Sequence, residues 1–210
     1  MNSATPLSSP REFGTDLSQT FTVSDKDLSV SGVPVAYPAL SVDFPGDLSY
    51  DRDLEMLQSD DRMIEAGTSY TVRSTLVQPT PEALRAENLS DPLANTRYTV
   101  IPAGLEELHT IALDWTAEAT TDYERILAIQ DRFQSTEFHY DANVPPRDDR
   151  FTLLDFVQET KAGFCQQFAS AMAVMLRTLG YPTRVAVGFT QGQRSDTDGR
   201  WHVTTKNAHA

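Results

Sequence analysis

Along the first hundred residues, apolar and polar positions alternate in short runs broken by proline, serine and aspartate. Residues 18–23, 28–35 and 70–77 have the two-residue period and β-branched content of strands, with turn-forming residues between them. Residues 81–88 read as a short helix with Pro81 in its first turn, where a missing N–H breaks no hydrogen bond. After about Pro102 the period changes. Leu105, Leu108, Ile111, Ala112 and Trp115 recur at helical spacing. A second helix opens at Thr121-Asp-Tyr-Glu, a capping-box sequence, and its apolar stripe is Ile126, Ile129 and Phe133. Residues 151–157 predict a shorter helix. A fourth begins near Cys165, with Phe168, Ala169, Met172, Leu176 and Leu179 sharing the face of Cys165. Arg177 in the last turn, Gly180 at the left-handed cap position and Pro182 just beyond end that helix. Residues 183–190 then predict a strand, residues 191–200 a loop, and Trp201 starts another strand.

The shift of period divides the chain. Residues 1–16 are expected to be disordered, residues 17–101 to form a β-rich domain, and residues 102–210 to form a domain of mixed helices and strands. The order of elements makes the chain α+β.

Composition narrows the partners. The 210 residues are 40% hydrophobic and 22% charged, enough to bury a substantial core. A formal charge of −13 argues against nucleic acid, whose phosphates require a positive surface, and against anionic membranes. No apolar run has transmembrane length, and the first residues lack the basic and apolar regions of a secretory signal. Membrane attachment is therefore expected only through segments outside these residues. The single cysteine makes no intramolecular disulfide, and four histidines without close spacing make no zinc site. No metal or cofactor is implied. Asp60-Asp61 and Asp148-Asp149 read as solvated turns, the glycines form no phosphate-binding loop, and Asn88-Leu-Ser is a sequon short enough to arise by chance.

Cys165 is the residue with chemistry to offer. A thiol at a helix start is either a small buried hydrophobe or a nucleophile, and the partial positive charge of a helix N-terminus favours the reactive thiolate. Thiol acyl transfer also needs a histidine that accepts and returns a proton, and a group that orients it. His109, in a helix, and His139, in an aromatic stretch, read as structural. His202 and His209 compete for the role. On one continuous strand their odd spacing sends them to opposite faces, unless Lys206-Asn207 breaks the strand.

The stretch Gly163-Phe-Cys-Gln-Gln-Phe-Ala, followed by Arg177-Thr-Leu-Gly-Tyr-Pro-Thr-Arg and Val187-Gly-Phe, resembles the core of the bacterial transglutaminase-like superfamily. The likeness covers about residues 70–210 and is strongest over 150–210. It is nearest to membrane-anchored bacterial proteins whose transglutaminase-like domain lies outside the membrane, and Ala128-Ile-Gln is similar to a segment of theirs. The resemblance implies a papain-like core with the cysteine helix packed on an antiparallel sheet. It implies Cys165 as nucleophile, with the Cys165 backbone N–H as oxyanion donor. It selects His209, in His209-Ala, over His202 as general base. The orienting Asp of that family falls beyond Ala210, so the domain is expected to be incomplete at its C-terminus and these residues alone to have little activity. The implied reaction is transfer of a protein or peptide carboxamide acyl group through a Cys165 thioester, on the extracytoplasmic side of a bacterial membrane. Hydrolysis by the same pair, as in a cysteine peptidase or amidase, and a non-catalytic binding module are the rival expectations.

Overall fold

The two longest strands pair residue for residue. In the computed structural model, which describes residues 5–7, 14–24, 26–29, 32–59, 63–89, 96–144 and 150–210, β2 (Gly14–Thr22) runs antiparallel to β8 (Ser69–Val77), with Gly14 opposite Val77 and Thr22 opposite Ser69. The sheet is completed by β1 (Thr5–Pro6) and β4 (Ala39–Asp43) in the order β1-β4-β8-β2, with a bulge between Ala39 and Ser41. Four further strands make two-stranded ladders: β3 (Leu28–Ser29) with β7 (Met63–Ile64), and β5 (Leu48–Asp51) with β6 (Met56–Ser59). Alternation in β8 turns Tyr70, Val72 and Ser74 inward. They meet Val33, Val42, Leu57 and Ile64 in the core of this unit. Tyr70 stacks on Phe21 and donates its hydroxyl to the Pro34 carbonyl at 2.8 Å; burial pushes its phenol pKa up.

The strand expected over 28–35 is shorter than its pattern. Among the described residues only Leu28–Ser29 join a ladder; Val33 N–H donates singly to the Leu57 carbonyl, and Pro34 has no N–H to donate. Within residues 1–16, Thr5–Pro6 and Gly14–Asp16 sit in paired strands, an order that terminal position alone did not suggest. Asp60-Asp61, Asp148-Asp149 and Ser90 of the sequon lie outside the described residues.

The chain divides into two units, Met1–Thr80 and Pro81–Ala210, rather than near residue 102. The earlier boundary has a local cause. Helix α1 (Pro81–Ala86) sends Arg85 over the Tyr123 ring and to within 3.6 Å of Glu124, so it packs with the helical unit. The segment around Tyr98 is also held there, since Thr183 N–H donates to the Tyr98 carbonyl.

In the second unit, α2 (Leu108–Trp115), α3 (Asp122–Phe133), α4 (Arg150–Asp155) and α5 (Cys165–Thr178) enclose one core. Leu108, Ala112, Ile129, Phe133, Phe156 and Met175 are its centre, all 7% exposed or less. The capping box at α3 is as the sequence predicts: Thr121 Oγ1 accepts from Glu124 N–H, and the Glu124 carboxylate accepts from Thr121 N–H. Hydrogen bonds from Thr120 hold the Glu124 carboxyl down at about 2. The end of α5 is a Schellman turn. Gly180 (φ +89°) donates to Arg177, Tyr181 donates back to Leu176, and no Cβ crowds the left-handed residue. Arg177 then clamps the departing chain through Nε and Nη2 to the Thr183 carbonyl and Nη1 to that of Val100. Among the described residues no helix is long and apolar enough to cross a membrane.

Beyond α5 the strands are short. β11 (Gly188–Phe189) pairs with β14 (Ala208–His209), and β12 (Gln193–Arg194) with β13 (Trp201–His202), both antiparallel. Of the strand expected over 183–190, only Gly188–Phe189 has a ladder partner among the described residues, and Val185 and Val187 stay exposed.

Candidate active site

Cys165 is placed by what precedes it. After α4 the chain widens into a π-helical turn, Phe156–Thr160, whose apolar residues Phe156 and Val157 are buried. Lys161, at φ +49°, closes the turn by donating its N–H to Phe156. The next residues form β10 (Ala162–Gly163), which lies parallel to β9 (His139–Tyr140) with Gly163 opposite Tyr140. His139 N–H to the Lys161 carbonyl and Asp141 N–H to the Gly163 carbonyl, both 2.8 Å, fix this pairing. Gly163 is buried where a Cβ would stand 3.0 Å from Gln167 Cβ and 3.2 Å from the Phe156 ring. Close approach, not backbone freedom, is what demands glycine here.

Phe164 is extended (φ −108°, ψ −176°), and α5 starts at Cys165. Phenylalanine has no capping oxygen, so Gln167 supplies the cap: its Oε1 accepts from Phe164 N–H at 3.0 Å, while its own N–H donates to the Phe164 carbonyl. The N–H groups of Cys165 and Gln166 have no acceptor among the described residues. They are the orphan donors of a helix start, beside the thiol of Cys165.

Cys165 is a free, half-buried thiol. One turn along, Phe168 joins a cluster of rings with Phe133, Phe138 and Phe156 at centroid distances of 5.0 to 6.2 Å. On its other side Phe168 carries Tyr140 in a near-parallel stack. Of the face expected from the sequence, Leu176 is buried, while Phe168, Met172 and Leu179 are half-buried against the core. The core beneath the rest of α5 is wider than the single stripe, because Ala171, Val174 and Met175 are buried as well.

The histidines separate. His209 is exposed in β14, opposite Gly188, and its ring has no hydrogen-bond partner among the described residues. His202 is exposed in β13 and its Nε2 lies 3.4 Å from Asp198 Oδ2. The Arg200 N–H, with Ser195 and His202, holds the Asp198 carboxyl below the usual carboxylate range. A 3-10 turn at Thr205–Asn207 breaks the strand between the two, so the opposite-face rule for a continuous strand does not apply. Neither histidine is hydrogen-bonded to Cys165. His109 is exposed in the first turn of α2, and His139 exposed in β9. Among the described residues no group of three or more His, Cys, Asp or Glu could hold a metal ion.

The sequence reading missed Gln167 and Tyr140. The first had a signal, a glutamine three residues into a helix whose N-cap residue has no acceptor. The second had none, because parallel pairing of β9 with β10 is a long-range event.

Residues 109–210 match the family model described as the transglutaminase-like superfamily. The chain is 34% identical over 121 residues to the uncharacterized protein YebA of Bacillus subtilis (strain 168), across 54% of this chain and 16% of that protein. It is 30% identical over 131 residues to a protein-glutamine gamma-glutamyltransferase of Pseudomonas aeruginosa, across 62% of this chain and 19% of that protein. The chain thus spans less than a fifth of either relative. Its structure resembles the periplasmic domain of TgpA from Pseudomonas aeruginosa, with TM-score 0.68 at 24% identity over 95% of this chain and 67% of that one. That likeness bears out the expected α+β, transglutaminase-like fold with a β-rich N-terminal part.

Proposed function

We propose that the protein is a cysteine acyltransferase acting on carboxamide groups of proteins or peptides. The observation that carries this reading is the Cys165 thiol beside the two unpartnered N–H groups of Cys165 and Gln166, within a transglutaminase-like domain. Cys165 Sγ, having passed its proton to His209, attacks the carboxamide carbon. The oxyanion is held by the Cys165 and Gln166 N–H groups. Collapse of the tetrahedral adduct breaks the C–N bond, the leaving nitrogen takes the proton from His209, and ammonia departs. The thioester is then resolved by a primary amine, whose proton returns through His209. The gamma-glutamyltransferase relative supports transfer over hydrolysis. The periplasmic TgpA neighbour supports an extracytoplasmic location, with any membrane attachment made through segments outside this chain.

The test is a glutamine-containing peptide incubated with the protein and a fluorescent primary amine. Expected are ammonia release, incorporation of the amine, and loss of both in Cys165→Ala. Ammonia with free acid and no incorporated amine makes the protein an amidase. No thioester and no ammonia from the full-length protein make it a non-catalytic binding module.

A further inference from the structure

Tyr140 is an aromatic residue held in place yet left open. The β9–β10 pairing sets it opposite Gly163, two residues before Cys165, and hydrogen bonds on either side of it fix its backbone. Its ring lies 6.3 Å from that of Phe168 with 19° between planes, and Phe168 shares a helix face with Cys165 one turn away. The other rings behind Phe168 are buried, at 7% exposure or less, whereas Tyr140 is 60% exposed. Its hydroxyl has no hydrogen-bond partner among the described residues. Strand alternation sends its neighbour His139 to the opposite face. Beside the segment that leads into Cys165 there is therefore an open aromatic ring stacked on Phe168, an ordinary surface for stacking peptide planes and methylene groups.

We propose that Tyr140 is a positioning residue for the acyl donor: the peptide segment carrying the reactive carboxamide lies against its ring while Cys165 attacks. This rests on the acyl-transfer reading above. Because the ring is fixed before binding, little ordering entropy opposes the contact. The contact is sequence-tolerant, since it recognises the planar backbone and the aliphatic stem of glutamine, and the chemical class it favours is an extended peptide rather than free glutamine.

The experiment compares two alkylating reagents on the full-length protein. One is iodoacetamide; the other is a peptide whose glutamine carboxamide is replaced by a chloromethyl ketone, from which the thiolate displaces chloride. The ratio of peptide to iodoacetamide rate constants cancels changes in the thiol itself. In Tyr140→Ala the ratio is expected to fall about tenfold, through weaker reversible binding rather than a slower displacement step. Tyr140→Phe restores it. An unchanged ratio in Tyr140→Ala, a loss confined to the displacement step, or an equal loss in Tyr140→Phe overturns the proposal. Neither reagent requires turnover. Absence of amine incorporation in the parent protein therefore counts against the acyl-transfer reading, while the ratio still decides Tyr140.

Discussion

Replacing Gly163 with alanine should move the nucleophile without touching it. The added Cβ would stand 3.0 Å from Gln167 Cβ, 3.2 Å from Gln167 Cγ and 3.2 Å from Phe156 Cε2. Neither neighbour can retreat. Gln167 Cβ is fixed by the first turn of α5, and Phe156, 1% exposed, is backed by Phe133, Phe138 and Phe168. The strain is relieved only if β10 and the head of α5 separate by several tenths of an ångström. Overpacking of this kind costs about 1–3 kcal/mol, and disturbing the Gln167 cap adds about 1 kcal/mol. Against a typical total of about 5–15 kcal/mol the protein still folds. The acylation rate should nevertheless fall about tenfold or more, because a misplacement of about 1 Å can lose a hundredfold. Urea denaturation and the burst of ammonia from a glutamine peptide measure the two effects. Gly188→Ala is the reference for stability, since its Cβ meets nothing within 4 Å; it should stay within about 0.5 kcal/mol of the parent. A Gly163→Ala protein as stable and as fast as the parent would show that the close approach at Gly163 does not position Cys165.

Three other outcomes are expected. His209→Gln should reduce acyl-enzyme formation by about a hundredfold or more, the usual contribution of a general base, while His202→Gln leaves it near the parent rate; equal losses in a stopped-flow acylation assay would refute the assignment. Tyr181→Phe removes the hydroxyl that donates to Asp122 at 2.7 Å and accepts from Arg125 at 3.2 Å, a loss of about 1–2 kcal/mol by urea titration. That hydroxyl is the main reason the Asp122 carboxyl sits below its ordinary value. The stabilisation is therefore complete above the unfolded value near pH 4 and disappears as pH falls through the lower folded one, so the gap between parent and variant should close in acid; a gap constant down to pH 2 contradicts this. Arg177→Lys keeps the charge but not the fork that reaches the Thr183 and Val100 carbonyls, and should lose about 1.5–3 kcal/mol. A lysine variant as stable as the parent would mean those carbonyls are equally well served by water.

The helices were legible because their signals are local. Thr121 and Glu124 cap α3, Pro81 opens α1 and Gly180 ends α5, each within a few residues of the feature it controls. Cys165 was legible for the same reason. Strands needed partners that the sequence does not name: Thr183 to Val187 has the composition of a strand yet finds no ladder among the described residues, and residues 32–36 join none either. The site was half legible. The thiol at a helix start could be read, but the opposition of Gly163 to Tyr140 arises from pairing distant segments, and the π-turn at Phe156–Thr160 from packing. The choice of His209 over His202 came from the family pattern; the structure adds that His202 is already engaged with Asp198.

The two residues paired in the proposed reaction are mounted on supports of unequal stiffness. Cys165 heads a helix whose middle turns are buried in the core, whereas His209 belongs to a ladder of two residues a side, at the end of an exposed stretch. The thiol is the fixed datum and the imidazole the adjustable part. In the proposed reaction, variation between residues 183 and 209 would therefore retune how the imidazole reaches the thiol while Cys165 stays in register.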